Sequence, residues 1–141
     1  MPPKEQTKRV LDNLADVTAA APLAADHLVR VGTKWGNKAE RAAKAAHVAD
    51  YVLVLTDAGE NVDMNKATAV NVTVPPNVDV ALPIGCVVEV TQVGAGQVTV
   101  VAGAGVTLRA AVGLKTAAQW AVVRLRKRAV NEWVVDGAAA A

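Results

Sequence analysis

Thr68-Ala69-Val70-Asn71-Val72-Thr73-Val74-Pro75-Pro76-Asn77 is the stretch on which the fold turns. Val70, Val72 and Val74 share one parity and Asn71 and Thr73 the other, the period-two pattern of a strand with one face in a core and one in water. Pro75-Pro76-Asn77 stops it, because proline has no N–H to give to a ladder. The same grammar recurs on both sides. Val52-Leu53-Val54-Leu55 runs into turn chemistry at Asp57-Ala58-Gly59, and Cys86 to Val93 alternates around Val88, Val90 and Gln92. Gly94-Ala95-Gly96 reads as a hairpin turn into Gln97-Val98-Thr99-Val100-Val101. Gly103-Ala104-Gly105 turns again, into Val106-Thr107-Leu108. Trp120 to Leu125 is a strand, Arg126 to Asn131 a basic turn, and Glu132-Trp133-Val134-Val135 the last strand. About seven short strands closed by Gly and Pro turns predict a mainly β fold, a small antiparallel β-sandwich or barrel.

Composition agrees. Of 27 Val, 22 lie between Val52 and Val135, and β-branched side chains suit a pleated, half-buried surface. Phe is absent, and the aromatics are Trp35, Tyr51, Trp120 and Trp133. The 52% of hydrophobic residues suffices for a packed core.

Charge divides the chain. Residues 1–50 hold 14 Lys, Arg, Asp and Glu, as many as the 91 residues that follow. The first 50 residues are therefore expected to be an α-helical and extended attachment arm, 51–137 the β domain, and 138–141 a frayed tail. Val10, Leu11, Leu14 and Val17 have helical spacing, Pro3 suits a helix start and Pro22 an end, so a helix is expected over about 4–20. His27 to Val31 reads as extended and Trp35 as a loop residue between Gly32 and Gly36. A second helix is expected from Lys38 to Val48, with a small-residue face of Ala39, Ala42, Ala43, Ala46 and His47 that needs a partner to pack on.

Several function classes drop out. No apolar run approaches the roughly 20 residues of a membrane helix. Lys4, Lys8 and Arg9 are followed by Asp12 and Asp16 rather than an apolar leader, so the expectation is a soluble protein made inside the cell. The lone Cys86 can form neither an internal disulfide nor a cysteine zinc cluster. His27 and His47 lie in no metal-binding or catalytic motif, so no metal and no cofactor is expected. A net charge of +2 does not by itself argue for nucleic acid. Cys86 reads as a small buried thiol without an electropositive neighbour. Asp57, Glu60 and Asp63 read as a solvated hairpin tip rather than a calcium loop, and the Gly-Ala-Gly turns lack the Lys-Ser/Thr of a phosphate loop. Arg124, Arg126, Lys127 and Arg128 read as a solvated basic turn guarding a strand edge.

Beyond these patterns, Val72-Thr73-Val74-Pro75-Pro76-Asn77, Pro83-Ile84-Gly85, Val88-Glu89-Val90-Thr91-Gln92-Val93-Gly94-Ala95-Gly96-Gln97-Val98-Thr99-Val100 and Asn131-Glu132-Trp133-Val134-Val135-Asp136-Gly137 resemble a small β module of tailed-bacteriophage virion proteins. That module occurs in capsid decoration and head-fibre proteins and at tail-fibre ends. Cys86 departs from the Thr or Ser expected after Gly85. The resemblance implies a non-enzymatic homotrimer on the outer surface of the capsid, partnered by the major capsid protein, with no membrane or nucleic-acid partner. The chain has no shaft repeats, which favours a decoration protein over a complete tail fibre. The alternative is a tail-tip or head-fibre module that binds a host surface glycan. The expected capsid and subunit interface is Val10, Leu14, Arg30, Lys34, Trp35 and Lys38.

Overall fold

The computed structural model describes residues 44–141 in full and, as backbone only, 17–18, 26–31 and 34–39. The chain divides into two compact units, Met1–Ala42 and Ala43–Ala141.

In the first unit, β1 (Val17–Thr18), β2 (Asp26–Val31) and β3 (Lys34–Ala39) form a sheet in the order β1-β3-β2. β2 and β3 are antiparallel, with Arg30 opposite Trp35 and Val31 opposite Lys34, and β1 lies parallel to β3. The extended reading of His27–Val31 holds. Trp35, expected in a loop, is in a strand. Of the helix expected over 4–20, only Val17 and Thr18 are described, and both are extended; the rest lies outside the described residues. The helix expected from Lys38 to Val48 is not formed where it is described. Lys38 and Ala39 end β3, and 44–48 form no helical turn, with His47 bridged to Met64. An alanine face stabilises a helix only when it is buried, and Ala46, the one alanine of that face whose burial is described, is exposed.

The second unit contains β4 (Tyr51–Val52), β5 (Asn61–Met64), β6 (Val70–Val74), β7 (Val87–Gln92), β8 (Val98–Ala102), β9 (Thr107–Ala110), β10 (Lys115–Thr116), β11 (Val122–Ala129), β12 (Glu132–Gly137) and β13 (Ala139–Ala140). They make two five-stranded sheets, β13-β10-β8-β6-β4 and β5-β7-β11-β12-β9. Inward Val70, Val72, Val74, Val98 and Val100 of the first meet Val62, Met64, Val88, Val90, Val123, Leu125, Trp133 and Val135 of the second in one core. The expected sandwich is therefore present, but the sheets are mixed and do not close into a barrel. β4-β6-β8 are parallel, as are β5-β7 and β12-β9.

The parallel pairs arise because successive strands from β4 to β9 alternate between the sheets. Val70 pairs with Val98 and Asn61 with Glu89, so each sheet contains one step of 28 residues, β6 to β8 and β5 to β7, while the step from β4 to β6, with Tyr51 opposite Val72, is 21 residues. The two Gly-Ala-Gly segments are consequently not hairpin turns. They are arches that carry the chain from one sheet to the other. At Gly96 the second coil lies directly on the first: its N–H donates to Lys66 O at 2.8 Å, while Val70 N–H donates to Gln97 O at 3.0 Å. A Cβ on Gly96 would fall on the Thr68 carbonyl, and one on Gly94 on the Lys66 backbone. Glycine is required there for close approach rather than for a turn.

In the second unit β11 and β12 form a long hairpin, and it separates β7 from β9. The expected basic turn at 126–131 is mostly strand, with Arg126 opposite Val134 and Lys127 opposite Trp133. The expected frayed tail is also paired, since Ala139 and Ala140 form a ladder with Thr116 and Lys115. Gly113, without a side chain, leaves room for that strand. Inside the core, Gln92 accepts a hydrogen bond from Thr116 Oγ1 and donates to Gly94 O at 3.2 Å, while Val98 N–H donates to Thr116 Oγ1 at 3.0 Å. This satisfied polar pair ties the two sheets together.

Candidate functional site

Of the expected interface residues, Val10 and Leu14 lie outside the described residues. Arg30, Lys34, Trp35 and Lys38 fall on the β2–β3 pair, where Arg30 and Trp35 are direct partners and Lys34 and Lys38 share the opposite parity. The register thus brings four of the six onto one two-stranded element.

The second unit places three polar or aromatic features in unexpected positions. The first is Asp57. It was expected at a solvated tip, yet it is 1% exposed. It closes a short helical turn, Leu55–Asp57, and accepts three hydrogen bonds: Val54 N–H at 2.8 Å, Tyr51 Oη at 2.9 Å and Lys44 Nζ at 2.9 Å. The three donors make burial of the carboxylate affordable. The His47 ring stacks on Tyr51 at 3.7 Å between centroids. Burial, then the hydrogen bond to Asp57 and its negative charge, push the Tyr51 phenol up to about 12. Glu60 is buried too. The cluster fixes residues 44–60 onto the coils, so the compact unit begins before residue 50.

The second is the basic run on β11. Arg124, Arg126 and Arg128 face out, and Lys127 faces in. Arg124 lies 3.8 Å from Glu89 and 3.9 Å from Asp136, and Arg128 donates to Glu132 at 2.6 Å. These exposed pairs add little stability. Lys127 is 2% exposed, and its Nζ donates to Asn77 Oδ1 at 2.5 Å and Leu82 O at 2.7 Å, 5.8 Å from the centre of the Trp133 ring. It is also the electropositive neighbour that Cys86 was expected to lack. Burial pushes the Cys86 thiol up and Lys127 only partly opposes this, so the half-buried thiol is no better a nucleophile than an ordinary one.

The third is Trp120, 67% exposed. Its φ of 67° is the one left-handed value at a non-glycine residue among the described residues. Ala121 N–H donates to Ala118 O at 3.1 Å, so Trp120 is the third residue of a tight turn, a position suited to glycine. Ala117, Ala118, Gln119, Val122 and Ala138 around it are exposed. A bulky residue in a strained turn with its ring in solvent gains little from burial, so packing among the fully described residues does not account for it.

Among the described residues no three His, Cys, Asp or Glu side chains are grouped to hold a metal ion, and no helix is long and apolar enough to cross a membrane. Neither the protein-family models, nor the curated proteins, nor the solved structures contain a match to this chain.

Proposed function

We propose that the chain is a non-enzymatic capsid decoration protein of a tailed bacteriophage, bound as a homotrimer to the major capsid protein on the outer surface of the shell. One observation carries the reading. The segments that resemble the virion β module, Val72–Asn77 and Gln92–Thr99, are architectural here: they pair as β6 and β8 and supply the arches that stack one coil on the next. A module whose distinctive residues maintain backbone stacking suits display and reinforcement better than turnover. The first unit supplies attachment, with Arg30, Lys34, Trp35 and Lys38 of β2 and β3 at its centre. Three copies, each weakly bound, hold a shell firmly through effective concentration.

Exposed Trp120 favours a second reading, a tail-tip or head-fibre module with a host glycan against that ring. Imaging virions made with and without the chain separates them. Density on the outer capsid surface that vanishes with the gene product supports decoration; loss of tail-tip density or of host adsorption, with an unchanged shell, supports the second reading and overturns the first.

A further inference from the structure

We propose that copies of this chain associate through the outer face of the β13-β10-β8-β6-β4 sheet, with Asp50 of one copy against Lys115 of the next. This rests on the homotrimer reading and deepens it by naming the surface where copies meet. The two sheets of the second unit share one core, but their outer faces differ in kind, and the register fixes what each displays. On the β5-β7-β11-β12-β9 sheet, Arg109, Arg124, Arg126 and Arg128 point outward with Glu89 and Glu132 among them. On the other sheet one outward row reads Val52-Thr73-Val101 and the next Asn71-Thr99-Lys115. Lys115 is the only charged residue in the five strands of that sheet.

A face with so little charge suits cover, since charged residues are depleted at the centres of interfaces. Val52 is 51% exposed and Val101 37%. Val and Thr are stiff at χ1, so covering them gives up less rotamer freedom than covering Lys, Arg or Glu. The charges at the borders identify the cover as another copy. Asp50 precedes β4 and accepts hydrogen bonds from the Asn71 N–H at 3.1 Å and from the Asn71 carboxamide at 3.4 Å, so it continues the Asn71-Thr99-Lys115 row on the β4 side. Toward the other border Lys115 is exposed, its Nζ 3.5 Å from Ala141 O. The row thus runs from a carboxylate at one border to an ammonium near the other. When such faces turn toward a cyclic axis parallel to the strands, the β4 border of each copy comes beside the β10–β13 border of the next, and Asp50 meets Lys115. The surface is complementary to itself, and the pair repeats at every contact. Exposed ion pairs add little affinity, but they fix which borders meet.

Sedimentation equilibrium of the full chain at micromolar concentration tests this without a capsid. The wild-type chain should be an oligomer. Val101→Lys, which sets a charge on the central strand of the face, should weaken association at least about tenfold, whereas Arg126→Glu on the other sheet should leave it unchanged. Thr73→Lys takes the place of Val101→Lys if that variant fails to fold. Lys115→Asp should also weaken association, and adding Asp50→Lys to it should restore association, because opposite charges then meet again across the border. A monomeric wild-type chain overturns this face and the homotrimer together. Assembly that survives a charge at position 101 or 73 overturns the face and leaves the homotrimer standing, and a double reversal that associates no better than Lys115→Asp overturns the pairing of the borders.

Discussion

Replacing Gly96 by Ala tests the coil stacking directly. The added Cβ would collide with the Thr68 carbonyl and lie 2.9 Å from Lys66 O. All of these are backbone atoms that cannot rotate away, so the coils must separate by roughly 1 Å or more to restore van der Waals contact. Separation lengthens the Gly96 N–H to Lys66 O and Val70 N–H to Gln97 O bonds beyond useful range. Two hydrogen bonds at about 1 kcal/mol each and overpacking at about 1–3 kcal/mol give a loss of about 3–5 kcal/mol. For a unit of this size, that lowers Tm by roughly 15 °C or more. Gly105→Ala is the control. Its φ is 72° and nothing lies within 4 Å of an added Cβ, so only the left-handed conformation is penalised, at about 1 kcal/mol. Urea and thermal melts of both variants are the assay. Equal losses, or a Gly96→Ala loss below that of Gly105→Ala, would refute the 28-residue stacking.

Trp120→Gly should leave stability unchanged or raise it by up to about 1 kcal/mol, since glycine relieves the left-handed strain; a loss of several kcal/mol in a thermal melt would show that the ring is a packing residue after all. Asp57→Ala should cost about 3 kcal/mol by leaving the Val54 N–H and Tyr51 hydroxyl without an acceptor, measured by urea denaturation, with Asp57→Asn recovering part of it. Because the folded-state Tyr51 phenol is raised from 10.0 to about 12, its contribution is complete below pH 10 and is lost as pH rises through about 12. Tyr51→Phe should remove that alkaline dependence of Tm, and an unchanged alkaline limb would assign it elsewhere. A chain starting at Ala43 should fold with an undiminished melting transition and no longer decorate shells; shell binding equal to that of the full chain would move the attachment surface into the β unit.

Strand existence was legible because each strand has one wet face. Val70, Val72 and Val74, or Val88 and Val90, alternate whatever their neighbours are. Pairing was not legible for the same reason. Alternation ordinarily accompanies antiparallel sheets, since parallel strands are usually buried on both faces. Here the parallel strands line the two sides of a thin sandwich and keep one face in solvent. The signal that distinguishes the cases is a repeat. Val62, Ala67, Val70, Val72 and Val78 recur 28 residues later as Val90, Ala95, Val98, Val100 and Val106, at the spacing the register has. A hairpin gives no such offset. The Gly-Ala-Gly segments misled in the same way, because glycine serves a tight turn and a close backbone crossing equally well.

Lys127 and Trp120 show what parity reveals when it is followed against chemical intuition. Val123 and Leu125 face inward, so the next inward position on an uninterrupted strand is 127, and the lysine there goes into the core. The backbone separates the basic residues of 124–128 onto two faces, with Arg124, Arg126 and Arg128 outward and Lys127 inward, so they do not form one solvated cluster. Trp120 is the converse, the largest side chain available, outside the core on a turn that suits glycine. Locally consistent sequences place lysine out and tryptophan in, and departures from that consistency concentrate where a protein does something besides fold. Lys127 is accommodated by hydrogen bonds to Asn77 Oδ1 and Leu82 O beside the Trp133 ring, so its head group is satisfied inside the core, whereas Trp120 stands in solvent on a left-handed turn that nothing in its surroundings requires.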